Sequence, residues 1–312
     1  MITDRPILSV IIPAYNVQDW LYATISSVLE VIPPQTEVIV VNDGSTDATI
    51  DVANRFVEMG SLKLITIPNS GVSRARNTGL AAARGTWVWF LDGDDIAHGL
   101  FPAHELSGRA CDVLSFPFFD GSPSTLPPRG MATNGSFRIN GGYAAKGLLD
   151  ESARYWIGST IVRRSLLQDH SIRFSPGARQ GEDVHWLVRV FAVTECVVHH
   201  PEVQICHVYR ATSATACKSE DGMDAFRLMR RLSYEKRSTG FGRSARARAG
   251  RELIRTLRRV DVSTRYSIQS RVDGWYVYLF LGFFHACRVG QKRDTIWALR
   301  FLITSVVTGK PR

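Results

Sequence analysis

The sequence has few cysteines and no apolar run long enough to span a membrane. Its five cysteines include no C-x-x-C pair, and such an odd, scattered set argues against a disulfide framework and favours a reducing compartment. The longest uncharged stretch, residues 274–287, has 14 residues, fewer than the roughly 18 that indicate a spanning helix. No secretory signal is visible, because the early apolar run is short and contains Pro13. We therefore expect a cytoplasmic protein without a transmembrane segment.

Two phosphate-binding fingerprints are also missing from the sequence. It contains neither G-x-x-x-x-G-K-[ST] nor G-x-G-x-x-G, so the sequence does not indicate a P-loop protein or a dinucleotide-binding protein. No spacing of cysteine and histidine matches a zinc site. The 312 residues are 45% hydrophobic and 21% charged, which is ordinary globular composition and enough chain for about two domains.

Positive charge is concentrated in one segment of the chain. Residues 227–259 hold twelve Lys and Arg against Glu235 and Glu252, so this segment has a net charge of +10. The whole chain has a net charge of +9, so the remaining residues sum to −1. Few aromatic residues lie within it, so nucleic-acid binding is not expected. The segment is either a solvated helix face packed through its apolar stripe or an interfacial helix on anionic lipid, since aromatic residues follow it. A core helix hairpin that closes the domain is the third alternative. We expect helices from residue 219 onward.

The first hundred residues alternate apolar, β-branched runs with helical stretches. Continuous apolar strands of this kind indicate a parallel sheet covered by helices on both faces. The carboxyl ends of such strands face one edge of the sheet, where ligands bind in open α/β folds. Strands are predicted at residues 8–12, 37–41, 62–67, 86–91, 113–118, 196–200 and 203–209, and helices at 19–31, 47–59, 72–84 and 182–193.

Polar clusters follow each of the first four predicted strands, which indicates a ligand site at that edge. The last cluster holds Asp92, Asp94 and Asp95, three acids that repel one another unless a cation neutralises them. Mg²⁺ commonly uses one or two carboxylates together with substrate phosphates. The cluster therefore predicts metal and diphosphate binding; an exposed acidic turn or a helix N-cap is the alternative.

Four other residues have both a structural and a functional interpretation. Tyr15 can stack on a nucleobase or be a half-buried aromatic residue. Asp43 can accept an imide N–H from a base while its turn caps the next helix. Arg76 opens the third helix, where a cation opposes the dipole and suggests an anionic ligand nearby. Asp183 begins a helix, where an acid commonly serves the dipole, but it can also act as a base.

Together these motifs resemble the inverting family 2 glycosyltransferases of the GT-A fold. The likeness is dense from residue 7 to about 100, resumes in Gly-Glu-Asp-Val-His-Trp at 181–186, and is looser at 209–213. The resemblance implies an α/β fold with a mostly parallel, Rossmann-like sheet covered by helices and a helical C-terminal extension. It implies a nucleotide-sugar-binding half at 1–100, an acceptor-binding half at 101–215 and a basic, aromatic extension at 216–312.

The resemblance also implies a role for each motif residue. Asp183 would be the general base, and Asp94, supported by Asp95, would bind a divalent ion, Mn²⁺ or Mg²⁺. Arg210 would close on the diphosphate. Its role is carried over more loosely, because the loops in this region vary within the family. The remaining nucleotide-sugar contacts would come from Pro13, Tyr15, Asp43, Arg76 and Asp92.

The function implied is transfer of one sugar from a nucleotide-sugar, expected to be a UDP-sugar, to a glycan or lipid-linked saccharide. Such an enzyme would serve cell-surface polysaccharide or cell-wall glycan synthesis at the inner face of the membrane. Processive synthases of the family carry Gln-x-x-Arg-Trp and several transmembrane helices, and this sequence has neither. The alternatives are a sugar nucleotidyltransferase, which favours a Gly-rich, Lys-containing first loop, and a nucleic-acid-binding protein built on residues 227–259.

Overall fold

A computed structural model describes most of the chain and divides it into two compact units. The described residues are 5–99, 101–107, 111–121, 135–201, 203–208, 222–235 and 241–259. The first unit comprises Met1–Ala144, Tyr155–Gly177 and Arg189–Ala211, and the second comprises Ala145–Arg154, Ala178–Val188 and Thr212–Arg312. The predicted halves 1–100 and 101–215 thus both contribute to the first unit, whereas the extension from 216 shares the second with two earlier stretches.

The first unit is built on four parallel strands in the order β3-β2-β1-β4. All residues of β1 and β4 are buried, as is typical of strands covered on both faces. The predicted strands and helices of the first hundred residues are confirmed, with ends that differ by a few residues. They are β1 Leu8–Ala14, α1 Leu21–Val31, β2 Thr36–Asn42, α2 Thr49–Glu58, β3 Lys63–Thr66, α3 Val72–Ala82 and β4 Trp87–Phe90.

Four further strands extend this sheet to eight, in the order β3-β2-β1-β4-β9-β6-β10-β8. They are β6 Val113–Ser115, β8 Phe137–Asn140, β9 Thr160–Arg163 and β10 Cys196–His199. β9 is antiparallel to both β4 and β6, so β6 and the parallel β10 run in the same direction as β1. The mostly parallel α/β architecture expected from the sequence is confirmed.

A second, three-stranded sheet has the order β5-β11-β7. Its strands are β5 Ile96–Gly99, β7 Phe118–Gly121 and β11 Val203–Val208. The prediction of one strand over 113–118 is wrong, because β6 and β7 lie in different sheets. Pro117 stands between them and has no N–H for a sheet ladder, while its carbonyl accepts the Ile205 N–H at 3.1 Å.

Helices α4 Ala103–Ser107, α5 Gly141–Asp150 and α6 Arg164–Asp169 connect these strands, and α7 Glu182–Phe191 follows. The second unit contains α8 Gly222–Glu235 and α9 Phe241–Arg259, which pack on each other. The helices expected from residue 219 onward are thus confirmed for these two ranges. Across the described ranges, no helix combines the length and apolar character that crossing a bilayer requires.

Candidate active site

The loops that follow β1, β2, β3 and β4 meet at one edge of the sheet, because the four strands are parallel neighbours. We call these loops, residues 15–20, 43–48, 67–71 and 91–95, the four-loop ring. The first loop is hydrogen-bonded to the second and the second to the third. Arg76 of α3 pairs with the fourth loop, which packs against Pro13 at the end of β1. The predicted site residues of the first hundred positions all lie on this ring or at its margin.

Asn16 joins the first loop to the second. Its side-chain oxygen accepts the Thr46 N–H at 2.9 Å, and its own N–H donates to Ser45 Oγ at 3.1 Å. Asn16 has a φ of 49°, a left-handed conformation that asparagine tolerates well. The preceding residue, Tyr15, is 46% exposed, as a base-stacking surface requires. Pro13 is buried within β1, so only its main chain can face a ligand.

Asp43 joins the second loop to the third. It is almost fully buried, and its two carboxylate oxygens accept the Ser70 and Gly71 N–H groups, each at 2.8 Å. Gly44 has a φ of 70°, and a Cβ there would lie 2.7 Å from Asn69 N. Each carboxylate oxygen has a second lone pair, so the predicted contact with a nucleobase remains chemically open.

Arg76, on α3 just after the third loop, joins it to the fourth. Its Nη2 lies 2.7 Å from Asp92 Oδ1, with side-chain exposures of 3% for Arg76 and 26% for Asp92. The guanidinium carbon lies 5.2 Å from the Phe174 ring centroid. Asn77 fixes Phe174 by donating to its carbonyl at 2.9 Å and accepting its N–H at 3.0 Å. The anion that Arg76 meets is therefore a protein carboxylate, and its contact with a nucleoside stays a prediction.

The fourth loop returns to the first through Gly93. A Cβ on Gly93 would lie 3.0 Å from Pro13 O, so a residue without a side chain lets this loop pack against the end of β1. Asp92 and Asp94 on either side are partly exposed, whereas Asp95 is completely buried. Asp95 Oδ1 accepts the Val208 N–H of β11 at 3.0 Å. Asp95 thus anchors the acidic loop to the second sheet, while Asp92 and Asp94 are accessible.

The acidic loop has the character of a divalent-cation site. Burial, followed by the charges of Asp92 and Asp94, raises the pKa of Asp95 well above its ordinary value. Asp92 and Asp94 are thus close enough to Asp95 for their charges to disfavour a third carboxylate charge at this loop. Carboxylate oxygens are the donors that Mg²⁺ and Mn²⁺ prefer, so the residues present fit such an ion.

The predicted base, Asp183, lies in the first turn of α7. Gly181 precedes this turn with a φ of 78°, and its carbonyl accepts the His185 N–H at 3.0 Å. Asp183 is partly exposed and accepts the Val184 N–H at 2.7 Å, whereas Glu182 is buried, at 8% exposure. Of these two adjacent acids, Asp183 is the more accessible to solvent. Arg210 lies outside the described residues.

The basic segment, residues 227–259, is partly neutralised within the second unit. Oε1 of Glu151 lies 3.1 Å from Arg255, 3.3 Å from Arg248 and 3.6 Å from Arg251. Arg251 is fully buried, and burial lowers its pKa to about 10. The placement of Arg251 on the solvated face of the helix is therefore wrong. The aromatic stretch predicted to contact lipid lies outside the described residues.

Comparison with solved structures identifies the fold. A fragment of TarS from S. aureus, crystallised with UDP-GlcNAc, matches with a TM-score of 0.64 and 19% identity, covering 97% of this chain and 92% of that one. The chain thus has an α/β fold of the GT-A type. The family model described as glycosyl transferase family 2 matches residues 9–103, which include all four loops of the ring.

Two curated bacterial proteins show the range of its relatives. An uncharacterized glycosyltransferase of Bacillus subtilis, EpsJ, is 28% identical over 199 residues, which are 62% of this chain and 58% of EpsJ. WfaP of Escherichia coli, a UDP-Glc:alpha-D-GlcNAc-diphosphoundecaprenol beta-1,3-glucosyltransferase, is 39% identical over 92 residues. That match covers 28% of this chain and 36% of WfaP. The chain thus spans little more than half of EpsJ and about a third of WfaP.

Two features of the site escaped the sequence interpretation. Phe174, on which the Arg76 guanidinium stacks, lies 97 positions from its partner Asn77, so no local pattern could pair them. The anchoring of Asp95 to β11 spans 113 positions and was equally invisible.

Proposed function

We propose that this protein transfers a single sugar from a UDP-sugar to a glycan or lipid-linked saccharide, with inversion at the anomeric carbon. The observation that carries the proposal is the four-loop ring, which gathers an exposed aromatic residue, a buried carboxylate and an accessible pair of carboxylates at one sheet edge. An aromatic face suits a base, a carboxylate suits an imide N–H, and the acidic loop suits a cation with its diphosphate.

The nucleotide would bind across the ring. Tyr15 would stack on the base and Asp43 would accept its N–H, while Pro13 would contribute main-chain contact. Asp92, held by Arg76, would orient the ribose or a metal-bound water. Support for a uridine donor comes from two similar proteins, TarS, whose structure holds UDP-GlcNAc, and WfaP, whose name specifies UDP-Glc.

Asp94, with Asp95 as support, would hold a divalent ion, Mn²⁺ or Mg²⁺. When bound, such an ion supplies Lewis-acid stabilisation to the charge of a leaving diphosphate. The chain's own contribution is to hold the carboxylate-bearing turn in a fixed conformation. Gly93 fixes the turn against β1, and the Asp95 bond to Val208 fixes its far end.

Asp183 would take the proton of the acceptor hydroxyl as that oxygen attacks the anomeric carbon. General-base catalysis of this kind contributes about 10²–10⁴-fold. A direct displacement without a covalent sugar intermediate inverts the anomeric configuration. Arg210 would bind the diphosphate, since a guanidinium can donate two parallel hydrogen bonds to it.

The acceptor class is supported by relatives whose names concern surface glycans. WfaP acts on a sugar attached to diphosphoundecaprenol, and TuaG of B. subtilis is named for teichuronic acid biosynthesis, with 40% identity over 93 residues. We propose polysaccharide or cell-wall glycan synthesis and a hexosyl or N-acetylhexosaminyl group. An inner-membrane location through peripheral contact with anionic lipid is part of this proposal.

Donor and metal are tested together by thermal shift. We expect UDP-sugars with Mn²⁺ to raise Tm more than GDP- or dTDP-sugars, since a ligand that binds only the folded state stabilises it. Asp94→Asn should abolish both the Mn²⁺-dependent shift and turnover. The matched control is Asp19→Asn, an exposed acid of the first loop, which should behave as wild type. Full activity of wild type in excess EDTA would contradict the metal assignment.

The base is tested by comparing two neighbouring acids. Asp183→Asn should keep UDP-sugar binding and lose transfer by at least ~10²-fold. Glu182→Gln should retain more activity, because the buried Glu182 cannot reach substrate. A dead Glu182→Gln variant beside an active Asp183→Asn variant would reverse the two roles. If both variants remain active, the base lies elsewhere.

Membrane contact is tested by flotation. Full-length protein should float with anionic vesicles and less with neutral ones, and deletion of residues 274–312 should abolish this difference in a chain that still melts cooperatively. Equal binding to both vesicle types, or none, would leave the helices of residues 227–259 with a purely structural role.

A further inference from the structure

Three metal-ligating side chains meet in the first unit on elements other than the four-loop ring. His104 and Glu105 lie on α4, and His200 directly follows β10. One ligand atom from each of the three lies within 4.8 Å of the others. His104 Nε2 is 3.9 Å from Glu105 Oε1, and the His104 and His200 ring centroids are 5.9 Å apart.

Two of these three residues are held firmly by the fold. His200 is 6% exposed, and its N–H donates to Ser115 O at 2.9 Å, at the end of β6. The Glu105 side chain is 20% exposed. Helix α4 is fixed beside it, because the Leu106 carbonyl accepts the indole N–H of the buried Trp87 at 2.9 Å.

His104 is the adjustable member of the cluster. Its side chain is 74% exposed, so rotation about its side-chain bonds meets little resistance from packing. Donor atoms around a tetrahedral zinc ion lie about 3.3 Å apart, given Zn–N distances of about 2.0–2.1 Å. The 3.9 Å separation of His104 and Glu105 is thus close to that value. Rotation of His104, together with a small shift of the Glu105 carboxylate towards His200, would bring all three donors to it.

We propose that His104, Glu105 and His200 bind a borderline divalent transition metal, with Zn²⁺ as its best representative. Two imidazoles and one carboxylate are a donor set that zinc accepts, with a fourth position left for water. The exposed side of His104 gives that position access to solvent. The acidic loop, by contrast, offers only oxygen donors, which suit Mg²⁺ and Mn²⁺.

The consequence of such a site is a cross-link between α4 and the carboxyl end of β10. The two elements are separated by about a hundred residues of sequence. Because the donors converge only in the folded chain, bound zinc would stabilise the native state by mass action. This proposal is independent of the sugar-transfer function, since none of its residues has a role there.

The experiment is a zinc titration of tag-free, full-length protein against a chromophoric chelator, with Co²⁺ absorption as a second readout. Wild type should bind one Zn²⁺ and give the intense visible bands of a tetrahedral Co²⁺ site. His104→Ala should weaken binding at least ~10²-fold, because even residues that only support a ligand cost 10–100-fold. His104 is exposed, so this variant should fold normally.

Two control variants make the result decisive. His170→Ala removes an exposed histidine elsewhere in the same unit and should bind Zn²⁺ as wild type does. Asp94→Asn should also leave Zn²⁺ binding intact, which separates this site from the acidic loop. The proposal is overturned if wild type binds no Zn²⁺ below millimolar concentration, or if His104→Ala binds it as tightly as wild type. Loss of binding in Asp94→Asn instead would move the metal to the acidic loop.

Discussion

Removal of Asp92 should destabilise the fold much more than removal of Asp94, although the two acids stand two positions apart. The reason is Arg76, whose side chain is 3% exposed and whose carboxylate partner at 2.7 Å is Asp92. Asp92→Ala leaves a buried guanidinium without that carboxylate. Breaking a buried ion pair from one side costs about 3–5 kcal/mol, and we expect the lower end of this range because Asp92 itself is partly solvated.

Asp94→Ala should change stability by no more than about 0.5 kcal/mol, as for an ordinary partly exposed position. The Asp94 charge helps to raise the pKa of Asp95, so the two groups repel each other. Removing Asp94 relieves this repulsion, which offsets part of any loss of stability. At about 2–4 °C per kcal/mol for a unit of this size, Asp92→Ala should lower Tm by roughly 6–12 °C. Asp94→Ala should lower it by about 2 °C or less.

The reverse truncation provides an internal check. Arg76→Met removes the cation and leaves Asp92, which is 26% exposed and can be hydrated, so it should cost less than Asp92→Ala. The double variant should cost less than the sum of the two single variants, because the pair is a single interaction. Thermal melts of wild type and the four variants, followed by circular dichroism in EDTA, measure these differences without a contribution from metal. Equal melting of Asp92→Ala and Asp94→Ala would refute the reasoning.

Three further predictions follow from buried groups. Asp43→Ala should raise the donor KM with little change in kcat, because a base contact far from the reacting carbon binds ground and transition states alike; an unchanged KM would count against it. Burial lowers the pKa of His199 below 6.5, so the unfolded chain binds a proton that the native one does not, and stability should fall as pH drops below 6.5. His199→Gln should flatten that decline in urea melts at pH 5–7, whereas His170→Gln should not. Glu151→Gln should destabilise the second unit by about 3 kcal/mol, while Glu235→Gln, in an exposed pair, should cost under about 0.5 kcal/mol.

The part of the fold that the sequence predicts well is the part with local signals. Continuous apolar runs mark β1, β2 and β4, and polar loops follow each one. The short strand β5 and the edge strand β8 went unpredicted. Their four residues each form strands only because partners distant in the chain, β11 and β10, supply the hydrogen bonds.

The same distinction applies to the site. The acidic motif is visible because its carboxylates are adjacent, and so is the choice of Asp183 as the candidate base. Which carboxylate is accessible is not visible, because burial of Asp95 depends on β11, more than a hundred residues away. The charge of α9 misleads for a similar reason, since Glu151 precedes Arg251 by about a hundred positions.

The four-loop ring has a consequence for the way this edge of the sheet responds to change. Because the first loop is hydrogen-bonded to the second and the second to the third, none of these three can open without exposing polar groups of its neighbour, and they should fluctuate as one cooperative unit. A ligand arriving there meets loops that are already ordered, so little conformational entropy is lost on binding. The same coupling means that a substitution at Asn16 in the first loop should be felt at Ser70 in the third, through the second loop, to which both are hydrogen-bonded.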